Sequence, residues 1–275
     1  MNDTVTLARY EVVDLAALVC AYAIYEFFLR RILPTYLHAL HDRSRRAIVS
    51  ALLIFLTMSI CTAGVLSLPL VVGYMAIAAL TFLYELLDAR VSAQHASHAL
   101  EWFLLRQAVS GMALVALWTA VQPLSPYPWY KTLEHHVLAA CGIAQTAFGE
   151  RRLSVLLILT AYVFVIDGGT RIVRGVFRKF PTLYANVLRK QSASSHIENE
   201  ENVGEWIGIL ERLITLTFVL TGSLTALAFA LTAKSIARFK DLEDKEFAEY
   251  YLLGTSASLL VAMFAGMLVK LITGI

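Results

Sequence analysis

The stretch IVSALLIFLTMSICTAGVLSLPLVVGYMAIAALTFLY, from Ile48 to Tyr84, contains no charged residue. The hydrocarbon core of a bilayer is about 30 Å thick, and a helix needs about 20 apolar residues to cross it. The stretch is long enough for two crossings, and Gly64 and Pro69 near its middle favour a tight helical hairpin. The sequence therefore predicts a polytopic, all-α membrane protein.

The composition of the whole chain supports this class. Of its 275 residues, 58% are hydrophobic and only 16% are charged, whereas about a quarter of the residues of a soluble domain are charged. The net charge of +2 gives no reason to expect a nucleic-acid partner. The three cysteines lack metal-site and disulfide-framework spacing, and the chain has no Gly-rich phosphate loop and no GxSxG, HExxH or CxxC motif.

Hydrophobic runs predict a transmembrane helical bundle of about seven spans with additional interfacial amphipathic helices. The predicted spans cover residues 12–33, 47–66, 68–87, 99–121, 153–169, 206–234 and 251–272. The stretch DGGTR, at 167–171, is interpreted as the end of the fifth span, because glycine favours helix termination. These spans form an N-terminal membrane unit at 1–188 and a C-terminal membrane helical hairpin at 206–275, joined by a polar linker at 189–205.

Arginine and lysine positions predict the orientation, since they concentrate in cytoplasmic loops. Three groups fall on one side of a seven-span chain whose N-terminus is outside: 30–46, 90–106 and 171–190. An eighth span at 132–152 remains an alternative, and it would reverse the orientation of everything that follows.

Two segments are predicted to touch lipid or a partner protein. The stretch 170–190 mixes basic and apolar residues, which favours an amphipathic helix on anionic lipid over a simple stop-transfer flank. The stretch 234–251 groups Ile236, Phe239, Leu242 and Phe247 on a charged helix, which fits either partner docking or the headgroup layer. The residues proposed for these contacts are Arg171, Arg174, Arg178, Lys234, Arg238 and Phe239.

Charged residues inside spans are costly unless paired or hydrated, so each is a candidate functional residue. They are Glu26, Glu85, Arg106, Asp167, Glu211, Arg212 and Lys234. Of these, Glu26, Arg106 and Asp167 are near enough to span ends to reach the headgroups. Adjacent Glu211 and Arg212 have two interpretations: a structural ion pair or cap, or a site for a ligand, proton or ion.

Histidines form a second candidate set. His38 and His41 are three residues apart, and so are His95 and His98, with Glu101 three further on. On a helix each set shares a face, and imidazoles with a carboxylate are ligands for zinc or iron. Solvated interfacial histidines are the alternative, and no other cofactor is predicted.

The stretches GEWIGILERL, at 204–213, and AKSIARFKDLEDKEFAEYYLLGTSASLL, at 233–260, resemble the C-terminal part of a bacterial membrane family known as domain of unknown function 3307. The N-terminal half is similar to the family domain, with degenerate motifs at YAIYE, YELLD and LLRQ. There Tyr22 and Tyr84 stand in place of histidine, while the acids Glu26 and Asp88 remain. Arg106 stands in place of aspartate and precedes Gln107. The resemblance adds Asp88 and Gln107 to the polar candidates and implies a bacterial inner-membrane location, but no activity.

Three functions are consistent with these features. The leading hypothesis is a non-enzymatic binding or signalling component that works in the bilayer with a soluble or membrane protein partner, or with further copies of itself. A transporter or channel would use the intramembrane charges as a polar path. An intramembrane metal- or carboxylate-dependent enzyme would use the acids and histidines.

Overall fold

A computed structural model describes residues 15–30, 43–62, 67–94, 99–121, 145–183 and 200–275. In these ranges the backbone forms helices joined by turns, and no strand occurs. The prediction of an all-α fold is confirmed for the described residues. The candidate eighth span at 132–152 falls mostly outside the described residues.

Nine helices of ten or more residues follow one another along the described chain, and a short helical stretch at 181–183 lies after the sixth. They are α1 (Leu15–Leu29), α2 (Arg43–Cys61), α3 (Leu68–Gln94), α4 (Ala99–Val121), α5 (Gln145–Val163), α6 (Gly169–Arg178), α7 (Glu200–Leu220), α8 (Leu224–Ala237) and α9 (Lys245–Thr273). The second part of α1, Ile24–Leu29, is a π-helix, and a second π-helix, Phe164–Gly168, joins α5 to α6.

Four described helical segments are long and apolar enough to cross a membrane: Leu68–Leu87, Ala99–Val121, Arg152–Arg178 and Lys245–Thr273. Three shorter apolar helices accompany them, at Leu15–Leu29, Ala47–Ile60 and Leu224–Ala237. These lengths confirm the prediction of a membrane protein with transmembrane helices. The count of seven spans is not confirmed.

The chain divides into two compact units. The first contains Met1–His95 and Glu101–Thr160, and the second contains Ala96–Leu100 and Ala161–Ile275. The predicted linker at 189–205 lies within the sequence range of the second unit. In this unit α6 packs against α7 and α9, which come later in the sequence. Residues 200–205 of the predicted linker begin α7, where glutamates are favourable beside the positive end of the helix dipole. Residues 189–199 lie outside the described ranges.

The predicted single span at 206–234 is wrong, because α7 ends at Leu220 and α8 begins at Leu224. Gly222 has φ +73°, a conformation that glycine adopts without steric cost. The N–H of Ser223 donates to Phe218 and that of Gly222 to Val219, which is the Schellman pattern of a helix end. The chain reverses here, so α7 and α8 form a helical hairpin.

The glycines of DGGTR do not end a helix, contrary to the prediction. The backbone continues through the π-helix Phe164–Gly168 directly into α6. Gly169, Thr170 and Gly175 are buried, and the Leu100 side chain lies against Gly175. The part of the predicted lipid-surface helix that falls in α6 therefore packs within the second unit through small residues on one face.

The start and end of α9 follow from local chemistry. The Asp244 carboxylate accepts hydrogen bonds from the N–H groups of Glu246 and Phe247, at 2.9 and 3.4 Å. This N-cap satisfies two donors that have no partner within the helix. At the other end, Gly274 takes a left-handed conformation and its N–H donates to Lys270.

Candidate functional site: polar layers beside two π-helices

In the first unit, four charged side chains form one network beside the π-helix of α1. Glu26 is only 2% exposed and Arg106, from α4, is 3% exposed. The Arg106 guanidinium donates to Oε1 of Glu26, and Arg30 donates to the same oxygen at 3.0 Å. Nε of Arg30 lies 2.7 Å from Oε1 of Glu85, on α3. Two positive and two negative groups therefore balance, which lowers the cost of burying them.

Hydroxyl groups extend this network into a layer, which we call the first polar layer. They belong to Tyr22, one turn before Glu26 on α1, to Tyr84 of α3 and to Ser110 of α4. All three residues are buried. The Trp102 and Tyr84 rings are nearly perpendicular, with 6.2 Å between their centroids. A layer of this composition can bind water or exchange protons, since it offers both donors and acceptors.

The first polar layer occupies one end of its unit. Further along the same helices, the core is made of buried apolar side chains, including Leu18, Ile54, Met58, Leu70 and Leu114. One polar contact within this core is the hydrogen bond between Thr62 and Tyr74. Beyond the polar layer the described core is therefore mainly apolar, with a few hydroxyl groups such as those of Thr62 and Tyr74 within it.

In the second unit, Arg212 of α7 binds the backbone of the second π-helix. Its Nε donates to the carbonyl of Val165 at 2.9 Å, and its Nη2 donates to the carbonyl of Ile166 at 3.3 Å. The same nitrogen lies 2.5 Å from Oγ1 of Thr170. A π-helix has i→i+5 hydrogen bonds where an α-helix has i→i+4 bonds. The Arg212 guanidinium donates additional hydrogen bonds to the backbone carbonyls at this change of helix type.

Gly169 makes this contact sterically possible. A Cβ atom at position 169 would lie 2.8 Å from Nε and 3.0 Å from Cδ of Arg212. Arg212 itself is 4% exposed, so its side chain has little room to move away. The glycine of DGGTR thus serves close helix packing.

Two ion pairs complete the layer, which we call the second polar layer. Asp167 and Arg171 are 2.7 Å apart, one helical turn from each other. Nζ of Lys234, on α8, lies 2.6 Å from Oε2 of Glu211 and 3.3 Å from Oγ1 of Thr255. Glu211 and Arg212 therefore bind different partners, because adjacent residues on a helix point about 100° apart.

Below the second polar layer, helices α7 and α9 pack closely through apolar and small residues. Leu216 and Val219 of α7 are buried, as are Ala262, Ala265 and Gly266 of α9. The second unit thus resembles the first: the polar layer lies at one end, and a mainly apolar half lies beyond it.

The residues predicted to touch lipid or a partner divide into two groups. Arg171 and Lys234 form ion pairs within the unit, with Asp167 and Glu211. Arg174 pairs with Glu205 at 2.7 Å but its side chain is 61% exposed, and Arg238 lies 3.5 Å from Asp241 with 47% exposure. Arg178 is exposed, and Phe239 is 69% exposed.

The remaining predicted residues fall as follows. His38, His41, His95 and His98, the predicted metal ligands, lie outside the described residues. In the part of the chain that the structure describes, no three His, Cys, Asp or Glu residues are grouped as a metal site. Asp88 lies in α3, and Gln107 is half-buried in α4 next to Arg106.

Candidate residues were predicted from charge within the spans. Thr170, Thr255 and the carbonyls of Val165 and Ile166 carry no charge, so they were not predicted. Thr170 adjoins the glycine pair of DGGTR, and small and hydroxylated residues together signal close helix contacts in membranes. That signal points to the region but not to the partner.

Searches of protein-family models, of curated proteins and of solved structures find no match to this chain. The resemblance to domain of unknown function 3307 therefore stays a prediction. Both stretches that carry its C-terminal part meet at Lys234, because Glu211 belongs to the first stretch and Lys234 and Thr255 belong to the second.

Proposed function

We propose that this chain is a multi-pass inner-membrane protein that acts as a non-enzymatic binding or signalling component for a protein partner. The observation that carries the proposal is the one-sided arrangement of the second unit. Its polar layer and the charge-rich turn between α8 and α9 lie at one end, while the other half packs mainly through apolar and small residues. Such a unit offers a surface to a partner at its polar end.

The exposed turn connects α8 to α9. Phe239 in this turn and Ile236 in the last turn of α8 are each 69% exposed, among residues that carry charges of both signs. The turn is held in place from within: Asp244 caps α9, and the Arg238 guanidinium lies 6.0 Å from the centre of the Phe247 ring. Two apolar side chains fixed in a polar rim are the pattern of a protein-binding patch.

The hairpin supports a specific topology for this unit. Nζ of Lys270 lies 3.5 Å from the carbonyl oxygen of Leu220, so the α7–α8 turn is level with the far end of α9. At about 1.5 Å per helical residue, the Lys234–Thr255 contact lies roughly 22 Å from that level. We propose that the α8–α9 turn and the end of α6 share the cytoplasmic face, because both carry the basic residues that mark it.

Cysteine accessibility in sealed cells tests this topology. We expect a cysteine at Glu243 and one at Lys179 to be protected from an impermeant maleimide, and a cysteine at Ser223 to react. A label at position 243 with protection at 223 would contradict the hairpin orientation. Testing each cysteine after permeabilisation controls for burial.

A photo-crosslinking amino acid at position 239 tests the proposed partner contact in native membranes. We expect a discrete protein adduct there, and lipid adducts only from a probe at Leu260, which is 66% exposed on α9. Phe239→Ser should abolish co-purification of the crosslinked protein, whereas Phe239→Leu should retain it. Lipid adducts alone at position 239 would make Phe239 an interfacial anchor and refute the partner site.

A transporter function has one observation in its favour. The Glu26–Arg106 pair is deeply buried beside a π-helix, and π-helices are frequent at functional sites. Purified protein in proteoliposomes would then carry a proton or ion flux that Glu26→Gln abolishes. Absence of flux from protein that is folded and correctly oriented would leave the binding function as the proposal.

A further inference from the structure

Helix α8 is apolar on almost every side. Leu227 is buried, at 6% exposure, whereas Leu224, Phe229 and Ile236 are 58%, 75% and 69% exposed. The one charged residue of the helix is Lys234. Lipid tails are as apolar as these side chains, so in a bilayer hydrophobicity does not select the side of α8 that faces the rest of the unit. Another property must fix the rotation of this helix about its axis.

The Lys234 side chain contacts two neighbouring helices. Its Nζ lies 2.6 Å from Oε2 of Glu211 on α7 and 3.3 Å from Oγ1 of Thr255 on α9. The same atom lies 5.0 Å from the centre of the Tyr251 ring, which is a cation–π contact. A carboxylate, a hydroxyl and an aromatic face therefore surround the ammonium group. An ammonium group without such partners is costly in hydrocarbon, so these contacts favour one rotation of α8 over the others.

The hydroxyl groups beside Lys234 do not select a rotation. Oγ1 of Thr232 donates to the carbonyl of Ala228 at 2.9 Å, and Oγ of Ser235 donates to the carbonyl of Leu231 at 3.0 Å. Both hydrogen bonds stay within α8, and both side chains are exposed. These bonds would persist whichever side of the helix faced α7, because hydrogen bonds within a helix turn with it.

The position of Lys234 accounts for the side chains that α8 exposes. Leu227 is seven residues earlier, about 20° from two full turns, so it lies on the same side of the helix and is buried. Phe229 and Ile236 lie about 140° and 160° away from that side, and both are exposed. The contacts of Lys234 thus turn Ile236 outward, and Phe239 lies in the turn that follows.

We propose that Lys234 is the positioning residue that fixes the rotation of α8 and so presents the surface formed by Ile236 and Phe239. A polar contact in an apolar helix interface specifies one arrangement among several of similar energy, as a buried asparagine does in a coiled coil. The role of Lys234 rests on its own contacts, whereas the use of the presented surface by a partner rests on the proposed function.

Spin labels on the full chain in bilayers test this role. The three native cysteines are replaced by alanine, and single labelled cysteines are placed in turn along 225–236, except at 234. Accessibility to oxygen, which dissolves in lipid, should follow the helical period, with minima at 227 and 231 and maxima at 229 and 236. Lys234→Met should shift or abolish this pattern, while Lys234→Arg, which keeps the positive charge, should retain it.

Ser235→Ala is the matched control, because it removes a neighbouring polar side chain whose hydrogen bond stays within α8. It should keep the wild-type pattern. The melting temperatures of the wild type and these variants should differ little, since a partly exposed ion pair contributes little to stability. This measurement separates a changed rotation from lost folding. An unchanged pattern in Lys234→Met overturns the proposal, and so does an equal change in Ser235→Ala.

Photo-crosslinking at position 239 separates the role of Lys234 from the proposed function. A protein adduct that forms in the wild type and is lost in Lys234→Met supports both. If the wild type forms no protein adduct while the accessibility pattern still depends on Lys234, the partner site is refuted and the positioning role stands. An adduct that persists in Lys234→Met despite a changed pattern would contradict the presentation of Phe239 by Lys234.

Discussion

The two π-helices use an arginine in different ways. In the first unit, Arg106 reaches from α4 to a carboxylate, Glu26, so one full charge neutralises another. In the second unit, Arg212 reaches from α7 to two backbone carbonyls and a hydroxyl. Both arginines are almost completely buried. The first contact is therefore an ion pair, in which each charge stabilises the other. The second is a set of hydrogen bonds from Arg212 that holds the π-helix backbone, and we call it the clamp.

This difference has an energetic consequence. Removing one half of a buried ion pair leaves a charge in a medium that cannot solvate it, which costs more than the pair contributed. Removing a clamp leaves neutral carbonyls, whose loss of a hydrogen bond costs less. The two sites should respond unequally to the same substitution.

Arg106→Met should have the largest effect. It leaves Glu26 buried with the more distant Arg30 as its partner, so we expect a loss of about 3–5 kcal/mol in the free energy of unfolding. Equilibrium unfolding in mixed lipid–detergent micelles measures this loss.

The double variant Glu26→Gln/Arg106→Met is the control for that measurement. It removes both charges and leaves Arg30 with Glu85, so most of the lost stability should return. If the double variant is as unstable as Arg106→Met alone, packing of the arginine stem rather than charge pairing explains the effect.

Arg212→Met should cost less, about 1–3 kcal/mol, because the groups left behind are neutral. It should also shift the π-helix toward regular α-helix, since the carbonyls of Val165 and Ile166 lose their external donors. Hydrogen exchange of the amides at 164–170 would report that change. Unchanged exchange together with lost stability would mean that the clamp does not maintain the π-helix.

Several of these features could be predicted from the sequence. Charge in apolar segments points directly to Glu26, Arg106 and Arg212, which the structure buries, because a bilayer strongly selects which side chains it tolerates. The partners could not be predicted. Whether Arg212 meets Glu211 or a carbonyl on another helix depends on how helices distant in sequence pack.

The α7–α8 hairpin shows a different limit. Thr221, Gly222 and Ser223 carry a turn signal, but they lie within a continuous apolar run. Hydropathy is averaged over such a run, so a turn of three residues has little effect on it. The prediction of one span at 206–234 therefore did not include the turn. The π-helices left no signal either, because their sequences are compatible with regular α-helix.

Gly169→Ala sharpens the comparison by changing the clamp without touching the arginine. The added methyl group would lie 2.8 Å from Nε of Arg212, so we expect a loss of about 1–3 kcal/mol from overpacking. Gly208→Ala is the matched control, because its Cβ would make only an ordinary contact, 3.5 Å from Nη1 of the same arginine. That control should be neutral or slightly stabilising, as alanine favours helix over glycine. Equal losses in both variants would contradict a specific role for Gly169.

The smallest effect is expected for the Glu211–Lys234 pair. Its side chains are 31% and 26% exposed, so the pair lies between the buried network of the first unit and a surface ion pair. A double-mutant cycle with Glu211→Gln and Lys234→Met should give a coupling energy of about 0.5–1 kcal/mol. It should weaken as salt is added, because partly exposed charges are screened. A coupling as large as that between Glu26 and Arg106 would mean that the pair is effectively buried in the bilayer. Side-chain exposure would then no longer explain a difference in coupling energy between the ion pairs of the two polar layers.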